Sequence, residues 1–392
     1  MATNKKNLNK TISKLDRFFA NKSKRLHDPV FFGNEKKYLI NCINTGFVSS
    51  VGKFVSKFED QICKITKSKF SIATSSGTSA LHMALYNFGI GKKDEVLLPS
   101  FTYVATANAV KYCNATPNFV DIEKSSLGVC PQKLEIYLKK IVVKRGNMSV
   151  NRFTKKTLKA LIVVHVYGIP CKIDDLKKIC KKFNLILIED AAEAVGSFYN
   201  GRHLGTFGDI GILSFNGNKA ITTGAGGSII TNQGKIAAKL KHLSTHAKLK
   251  KKHDHLHDYI GFNYRMNNLS AAVGCAQIEN IRKILTAKRN NYKVYSRLFK
   301  DTKEIEIIKE PPNSKINYWL VIAIFSNKKI RDKFVNIFNK KGYGIRYTWR
   351  PLHTLKIFKD CPADKMNNSL DIFNKTINLP SSPSLSLKKN KY

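Results

Sequence analysis

The chain has 392 residues, 43% of them hydrophobic, which is enough apolar surface for a large core and for more than one domain. No apolar run approaches the ~20 residues that cross a bilayer, and no apolar segment of a secretory signal follows the basic N-terminus, so we expect a cytoplasmic protein without a membrane span. The net charge of +41 keeps a polyanion-binding role open, but the lysines are spread over the whole chain without a zinc-finger or RNA-binding motif, so no specific nucleic-acid partner is expected.

The first part of the chain alternates between predicted helices and strands, after an N-terminal arm over residues 1–30 with a weakly amphipathic pattern. Residues 139–159 are basic and poor in apolar side chains, and we interpret them as an exposed insert. The predicted elements here are helices over residues 34–45, 54–65, 80–88 and 104–112, and strands over 70–73, 95–98 and 118–121.

The later strands are almost continuously apolar, and repeated β-α-β units with such strands indicate a mostly parallel sheet covered on both faces. From residue 269 the pattern changes to a long helix and shorter strands, which predicts a smaller domain. The predicted division is an arm over residues 1–30, a large domain over 31–268 and a small C-terminal α/β domain over 269–392. The further elements are strands over 158–166, 185–188, 210–215, 227–231, 305–308 and 319–325, and helices over 173–183, 269–299 and 331–340.

Polar residues follow two of the predicted strands, at the carboxyl ends where ligands gather in parallel sheets. Ser76, Gly77 and Thr78 form a small strand-to-helix turn that suits a phosphate, although such turns are as often plain helix caps. Asp190 ends an apolar strand, so its carboxylate faces water, a cation or a cofactor.

The histidines and cysteines give weaker signals. His253, His255 and His257 would lie on one side of an extended segment, but a mobile or substrate-facing loop is favoured over a metal site, and no metal is expected. His165 ends a buried strand as either a core histidine or a wall of the site. The eight cysteines are scattered without C-x-x-C spacing and are interpreted as reduced thiols.

Lys219 is the strongest candidate for a reactive group. It follows the strand over 210–215, and Gly224, Gly226 and Gly227 come soon after it, which favours a crowded turn over an exposed surface lysine. A partly desolvated lysine beside a cationic cofactor has a lowered pKa and becomes a nucleophile or a base. The Asp190 carboxylate could hold the pyridinium nitrogen of such a cofactor.

These tracts together resemble the DegT/DnrJ/EryC1/StrS family of nucleotide-sugar aminotransferases. The resemblance implies an α/β protein with the type I aspartate-aminotransferase fold, pyridoxal 5'-phosphate as cofactor, L-glutamate as amino donor, and a homodimer with shared active sites. The motifs that carry it are SSGTSALH at 75–82, EDAAEA at 189–194, SF at 214–215 with Lys219, TGAGG at 223–227 and GFNYRM at 261–266.

The family pattern implies a role for each matched residue. Lys219 would form a Schiff base with the cofactor and later move the proton, Asp190 would bind the pyridinium nitrogen, and Glu193 would lie near the phenolic oxygen. The remaining cofactor contacts would be Gly77, Thr78 and Ser214 to the phosphate, Tyr103 stacked on the ring, and Asn263 reaching the phosphate from the partner subunit. The candidate substrate contacts are Ser49, Ser50, His165, His257, Trp349 and Arg350.

The preferred reading is amino transfer from glutamate to the C4 ketone of a UDP-linked 4-keto-6-deoxy-N-acetylhexosamine. The product would be a 4-amino sugar for surface glycan or nonulosonic acid biosynthesis. This branch is favoured by the tracts at 26–29, 52–55 and 97–101. One alternative is a GDP-4-keto-6-deoxymannose aminotransferase of the perosamine type. The other is a non-catalytic, polyanion-binding protein on the same fold.

Overall fold

The computed structural model describes residues 2–20, 22–249 and 254–387, so His253 of the histidine cluster lies outside the described residues. Within them, no helix is long and apolar enough to cross a membrane. The helices are α1 (Ala2–Phe19), α2 (Glu35–Asn44), α3 (Lys53–Thr66), α4 (Gly77–Asn87), α5 (Ala105–Tyr112), α6 (Pro131–Ile141), α7 (Ile173–Phe183), α8 (Gly234–Leu243), α9 (Asn268–Glu279), α10 (Ile281–Phe299), α11 (Lys328–Lys340) and α12 (Asn367–Lys375).

The strands form one large sheet, one four-stranded sheet and a small three-stranded sheet. They are β1 (Phe70–Thr74), β2 (Asp94–Pro99), β3 (Thr116–Val120), β4 (Val142–Arg145), β5 (Met148–Asn151), β6 (Thr157–Val164), β7 (Ile186–Asp190), β8 (Phe198–Tyr199), β9 (Arg202–His203), β10 (Ile210–Ser214), β11 (Gly227–Thr231), β12 (Ile305–Ile307), β13 (Ser314–Lys315), β14 (Val321–Phe325), β15 (Arg346–Tyr347) and β16 (Thr376–Leu379).

The large sheet has the strand order β1-β11-β10-β7-β6-β2-β3. The pairs β10-β7, β7-β6, β6-β2 and β2-β3 are parallel, and β11 runs antiparallel to both of its neighbours. The carboxyl ends of β1, β10, β7 and β6 therefore lie at one edge of the sheet. This arrangement agrees with the predicted mostly parallel sheet and brings the predicted strand-end residues together.

Two hydrophobic cores cover the two faces of this sheet. Successive residues along a strand alternate between them: Leu161 and Leu187 belong to one core, and Ile162 and Ile188 to the other. Side chains of a strand point alternately to opposite faces, so a strand buried on both faces needs apolar residues at every position. This requirement explains the near-continuous apolar runs in the sequence.

The four-stranded sheet has the order β12-β14-β16-β15 and is antiparallel throughout. Its core includes Ile12, Leu15 and Phe19 of α1, so the apolar side of the N-terminal helix packs against this part of the molecule. The division into residues 1–30, 31–268 and 269–392 stays a prediction.

Two local predictions need correction. The supposed exposed insert at 139–159 contains the end of α6 and the hairpin β4-β5. The hairpin pairs with β6, and the Asn151 side chain is buried and donates to Glu95 over 3.0 Å. The single long helix at 269–299 is interrupted at Asn280, whose φ and ψ of −106° and 6° are not helical. Its side-chain amide donates to the Ala276 carbonyl over 3.2 Å, a local bond that competes with the helical pattern.

Candidate active site

A cavity of about 720 Å³ lies at the carboxyl edge of the large sheet, between that sheet, the N-terminal segment and the four-stranded sheet. It collects most of the residues predicted to hold a cofactor. The predicted residues that line it are Gly77, Thr78, Tyr103, Asp190, Glu193, Ser214, Lys219 and Trp349.

Lys219 lies in the connection between β10 and β11, and 14% of its side chain is exposed. Its Nζ is 3.6 Å from Glu193 Oε1 and 4.0 Å from the centroid of the Trp319 ring. Burial lowers the pKa of the Lys219 amine, and the opposing effect of Glu193 and Asp190 does not cancel it. A buried lysine with a lowered pKa is more readily neutral and can act as a nucleophile or a base.

Asp190 is the last residue of β7, and only 8% of it is exposed. Its carboxylate accepts hydrogen bonds from Thr106 Oγ1 over 2.8 Å and from the Ala192 N–H over 3.2 Å. Burial raises the pKa of this carboxyl despite both bonds and the nearby Lys219. A buried carboxylate that has only neutral hydrogen-bond donors is stabilised further by a cationic N–H group. Asp190 therefore suits the pyridinium nitrogen of a cofactor.

Glu193 is held from two directions. Its Oε2 accepts the Tyr167 N–H over 2.7 Å, and its backbone carbonyl accepts the Asn317 side-chain amide over 2.8 Å. Burial raises the pKa of the Glu193 carboxyl, which Lys219 opposes. Tyr167 has φ of 56° and Gly168 has φ of 81°, and a Cβ on Gly168 would meet the Asn317 side-chain oxygen at 2.3 Å. The turn that presents Tyr167 therefore requires glycine at 168.

The predicted phosphate turn combines a helix N-cap with backbone N–H groups that have no partner within the helix. Ser76 is the N-cap of α4, and its hydroxyl accepts the Ser79 N–H over 3.0 Å. Gly77 and Thr78 come next, at the first helical positions, where N–H groups have no partner within the helix. A Cβ on Gly77 would lie 2.9 Å from the Ser214 Cβ, so the helix start and the end of β10 are in close approach. This geometry suits a phosphate group.

The rings of Tyr103, Trp319 and Trp349 line the cavity, and the buried Tyr167 ring packs against the two tryptophans. The Tyr167 ring is nearly parallel to Trp319 and to Trp349, with interplanar angles of 29° and 18° and centroid distances of 5.9 and 5.8 Å. Tyr103 is tilted against Trp349 at 5.2 Å. Trp319 and Trp349 are the two tryptophans of the chain, so the tryptophan fluorescence of this protein reports on the cavity.

Six predicted residues do not line the cavity. His165 is fully buried, accepts the Cys171 N–H at Nδ1 over 3.3 Å and donates from Nε2 to Glu189 over 2.9 Å, which agrees with the core-histidine alternative. Glu189 in turn accepts three backbone N–H groups of residues 205–208. The others are Ser49, Ser50, His257, Asn263 and Arg350.

These five residues make other contacts or are exposed. Asn263 is exposed and forms an isolated bridge with Thr245, and the exposed His257 ring bonds the His246 carbonyl over 2.8 Å. The Arg350 guanidinium stacks over the Phe373 ring. Ser49 is exposed and Ser50 is half-buried. No group of three potential metal-ligating side chains is found in the described part of the chain.

The sequence reasoning missed several cavity residues. Trp319 was assigned to a strand, but β14 begins at Val321 and Trp319 lies in the preceding loop. The scarcity of tryptophan in the chain was the available signal. Other missed residues include Arg25, Leu26, His27 and Asp28 of the N-terminal segment, Thr106 of α5, and Asn378 of β16.

Comparison with known proteins gives a family and a similar fold for this chain. A model described as the DegT/DnrJ/EryC1/StrS aminotransferase family matches residues 32–392. A GDP-perosamine synthase of Vibrio cholerae is 38% identical over 365 residues, covering 92% of this chain and 94% of that protein, and one of Escherichia coli O157:H7 is 35% identical over 361 residues with the same coverage. The solved structure of the aminotransferase TlmJ from Streptoalloteichus hindustanus is similar in fold, with a TM-score of 0.82 at 21% identity over 93% of this chain and 94% of that one.

Proposed function

The chain belongs to the DegT/DnrJ/EryC1/StrS aminotransferase family, and we propose that it transfers the amino group of L-glutamate to the C4 ketone of GDP-linked 4-keto-6-deoxymannose. The predicted fold class, the predicted enzyme class and the predicted cofactor, pyridoxal phosphate, are confirmed. The relatives named GDP-perosamine synthase favour this substrate over the UDP-linked sugar that the sequence reasoning preferred. The cytoplasmic location stays a prediction.

The observation that carries the proposal is the meeting of Lys219, Asp190 and Glu193 in one cavity with the start of α4. These residues fit the cofactor by their chemistry. The buried Asp190 carboxylate could accept a hydrogen bond from the ring N–H. The start of α4 and Ser214 suit the phosphate. Pyridoxal phosphate supplies an aldehyde that takes up an amine and a ring that withdraws electrons from the adjoining carbon.

The side chains of this protein then bind, orient and move protons. Asp190 would keep the ring nitrogen protonated, because the positive N–H group would stabilise its buried carboxylate. The Lys219 amine, neutral once it is free of the cofactor, would take the proton from the α-carbon of glutamate and would later deliver one to C4 of the sugar. Trp319 and Glu193 lie beside Nζ and limit where the amine can move.

The position of Asn263 supports the proposal of a homodimer with shared sites. This residue lies outside the cavity of its own chain, on an exposed loop with Ile260, which is 78% exposed. Ile43, Phe47 and Val51, which are close together in the sequence, are each more than half exposed, and contiguous exposed apolar surface is typical of an interface. We therefore keep the prediction that Asn263 reaches the phosphate in the partner subunit.

Subunit mixing tests the shared site. Lys219→Ala and Asn263→Ala should each have little activity alone. Mixed dimers should regain part of it, because one of their two sites receives both intact residues. If mixtures under exchange conditions stay as inactive as the single variants, Asn263 does not act across the interface.

Two measurements test the proposed reaction. Borohydride should fix the cofactor to Lys219 in the wild type and in Lys235→Ala, an exposed lysine of α8, but not in Lys219→Ala. With glutamate as donor, amination should be faster for the GDP-linked 4-keto sugar than for the UDP-linked one. Faster turnover of the UDP compound would refute the choice of nucleotide, and absence of glutamate-dependent cofactor conversion would refute the reaction.

A further inference from the structure

Three residues that line the cavity carry buried polar atoms that bond no described residue. They are His27 Nδ1, Trp349 Nε1 and Asn378 Oδ1. His27 belongs to the N-terminal segment, and the other two belong to the region of β15 and β16. Buried polar groups are paired in most proteins, because an unmade hydrogen bond is costly. These three atoms are therefore available to form hydrogen bonds with a ligand in the cavity.

His27 is fixed from behind by a buried lysine. Lys288 of α10 has no exposed surface, and its Nζ contacts His27 Nε2 at 2.8 Å and donates to the Ser381 carbonyl over 2.9 Å. An ammonium has only donors, so a protonated Lys288 makes Nε2 the acceptor and puts the ring hydrogen on Nδ1. The unpaired Nδ1 is then a hydrogen-bond donor.

Lys288 has no carboxylate partner among the residues that the structure describes. Burial alone lowers the pKa of its amine far below the ordinary value, because a buried cation without a counter-ion is unfavourable. An anion bound at His27 would reduce this cost, whereas a neutral ligand would not. Arg25 and Arg346 also line the cavity, although Arg25 is paired with Asp28 at 3.6 Å.

We propose that His27 Nδ1 donates a hydrogen bond to an anionic oxygen of the bound substrate, and that Lys288 is the positioning residue behind it. The inference rests on the proposed function for the identity of the substrates. They offer two sources of such an oxygen, the carboxylates of glutamate and the diphosphate of the nucleotide sugar. His27 would then contribute to the specificity of this cavity for charged ligands.

Two substitutions of His27 separate its two nitrogens. The side-chain amide of His27→Asn lies near the Nδ1 position and keeps a donor there, whereas His27→Gln reaches towards Lys288 and leaves the Nδ1 position empty. The probes are GDP and glutarate, titrated into the cofactor-loaded protein. Tryptophan fluorescence reports binding, because both tryptophans line the cavity.

The expected result is a loss of affinity of roughly 10- to 100-fold in His27→Gln, for at least one probe, and a much smaller loss in His27→Asn. A loss confined to GDP assigns the oxygen to the diphosphate, and a loss confined to glutarate assigns it to the carboxylate. Unchanged binding in His27→Gln, or equal losses in the two variants, would overturn the proposal.

Lys288→Met tests the positioning role with a side chain of similar length. It should weaken the same probe or probes as His27→Gln and leave the urea unfolding of the protein cooperative, and combining it with His27→Gln should add no further loss of affinity, whereas a purely structural role would add its own loss. The glutamate-dependent conversion of the cofactor, followed by absorbance in the wild type, is independent of these affinities. If the wild type shows no glutamate-dependent conversion of the cofactor, the proposed reaction is refuted. If only the comparison of the His27 variants gives the opposing result, the reaction stands and only this contact is refuted.

Discussion

Asn317→Ala should destabilise the protein strongly, because Asn317 connects the two parts of the molecule that form the site. Only 1% of it is exposed. Its amide donates to the Glu193 and Val195 carbonyls over 2.8 and 3.0 Å, and its side-chain oxygen accepts the Trp319 N–H over 2.9 Å. Alanine leaves two carbonyls and one N–H without these partners, at about 1–3 kcal/mol each. Since water can enter the space left, we expect a net loss of about 3–5 kcal/mol in the free energy of unfolding.

The assay is urea unfolding followed by tryptophan fluorescence, with the free energy extrapolated to water. Asn336→Ala is the matched control, because Asn336 is exposed on α11, and exposed substitutions usually change stability by less than ~0.5 kcal/mol. Asn317→Asp should also be destabilising, since a carboxylate cannot donate to two carbonyls. A loss below ~1 kcal/mol in Asn317→Ala would refute the inference that this side chain holds Glu193 and Trp319 in place.

Three further predictions concern the ionisable groups of the site. Burial raises the pKa of Asp190, so its contribution to the stability of the cofactor-free protein is present at low pH and is lost as the pH rises through the pKa of the folded state. The melting temperature of Asp190→Asn should therefore rise relative to that of the wild type as the pH increases. A difference that does not depend on pH would contradict this. Because burial lowers the pKa of Lys219, the rate at which cofactor-free protein attaches pyridoxal phosphate should level off below pH ~10.4, the ordinary lysine value; a rise that continues past it would contradict the burial effect. Trp319→Leu removes a cation–π contact with the Lys219 ammonium, worth about 0.5–2 kcal/mol. The midpoint of the pH–rate profile for cofactor attachment should therefore move to lower pH, and an unchanged profile would contradict this.

Much of the fold was predictable, because its core elements are determined by local patterns. The strands at β6, β7 and β10 are buried on both faces, and a doubly buried strand needs an apolar run that is visible in the sequence. The errors were at places where long-range side-chain contacts determine the local structure. The hairpin β4-β5 is basic on its exposed side, and its buried Asn151 is stabilised by Glu95, which no periodicity reveals.

The site was predictable where its residues follow strands of the large sheet. Asp190, Ser214 and Gly77 meet because parallel strands end at the same edge. His27, Trp319 and Asn378 were missed because they reach the cavity from the N-terminal segment and the smaller sheet. Their approach depends on how the four-stranded sheet packs on the large one, and contacts between residues so far apart in the chain leave no local pattern.

The net charge of +41 does not explain how the cavity would select an anionic substrate. Among the described residues, three cationic side chains and three carboxylates line it, so their formal charges balance if His27 is neutral: Arg25, Lys219 and Arg346 against Asp28, Asp190 and Glu193. The surface lysines can raise the encounter rate with anions, but salt screens such effects over about 8–10 Å. Selection inside the cavity must therefore come from positioned donors, and His27, with Lys288 behind it, is one donor whose hydrogen bond a substrate oxygen would complete.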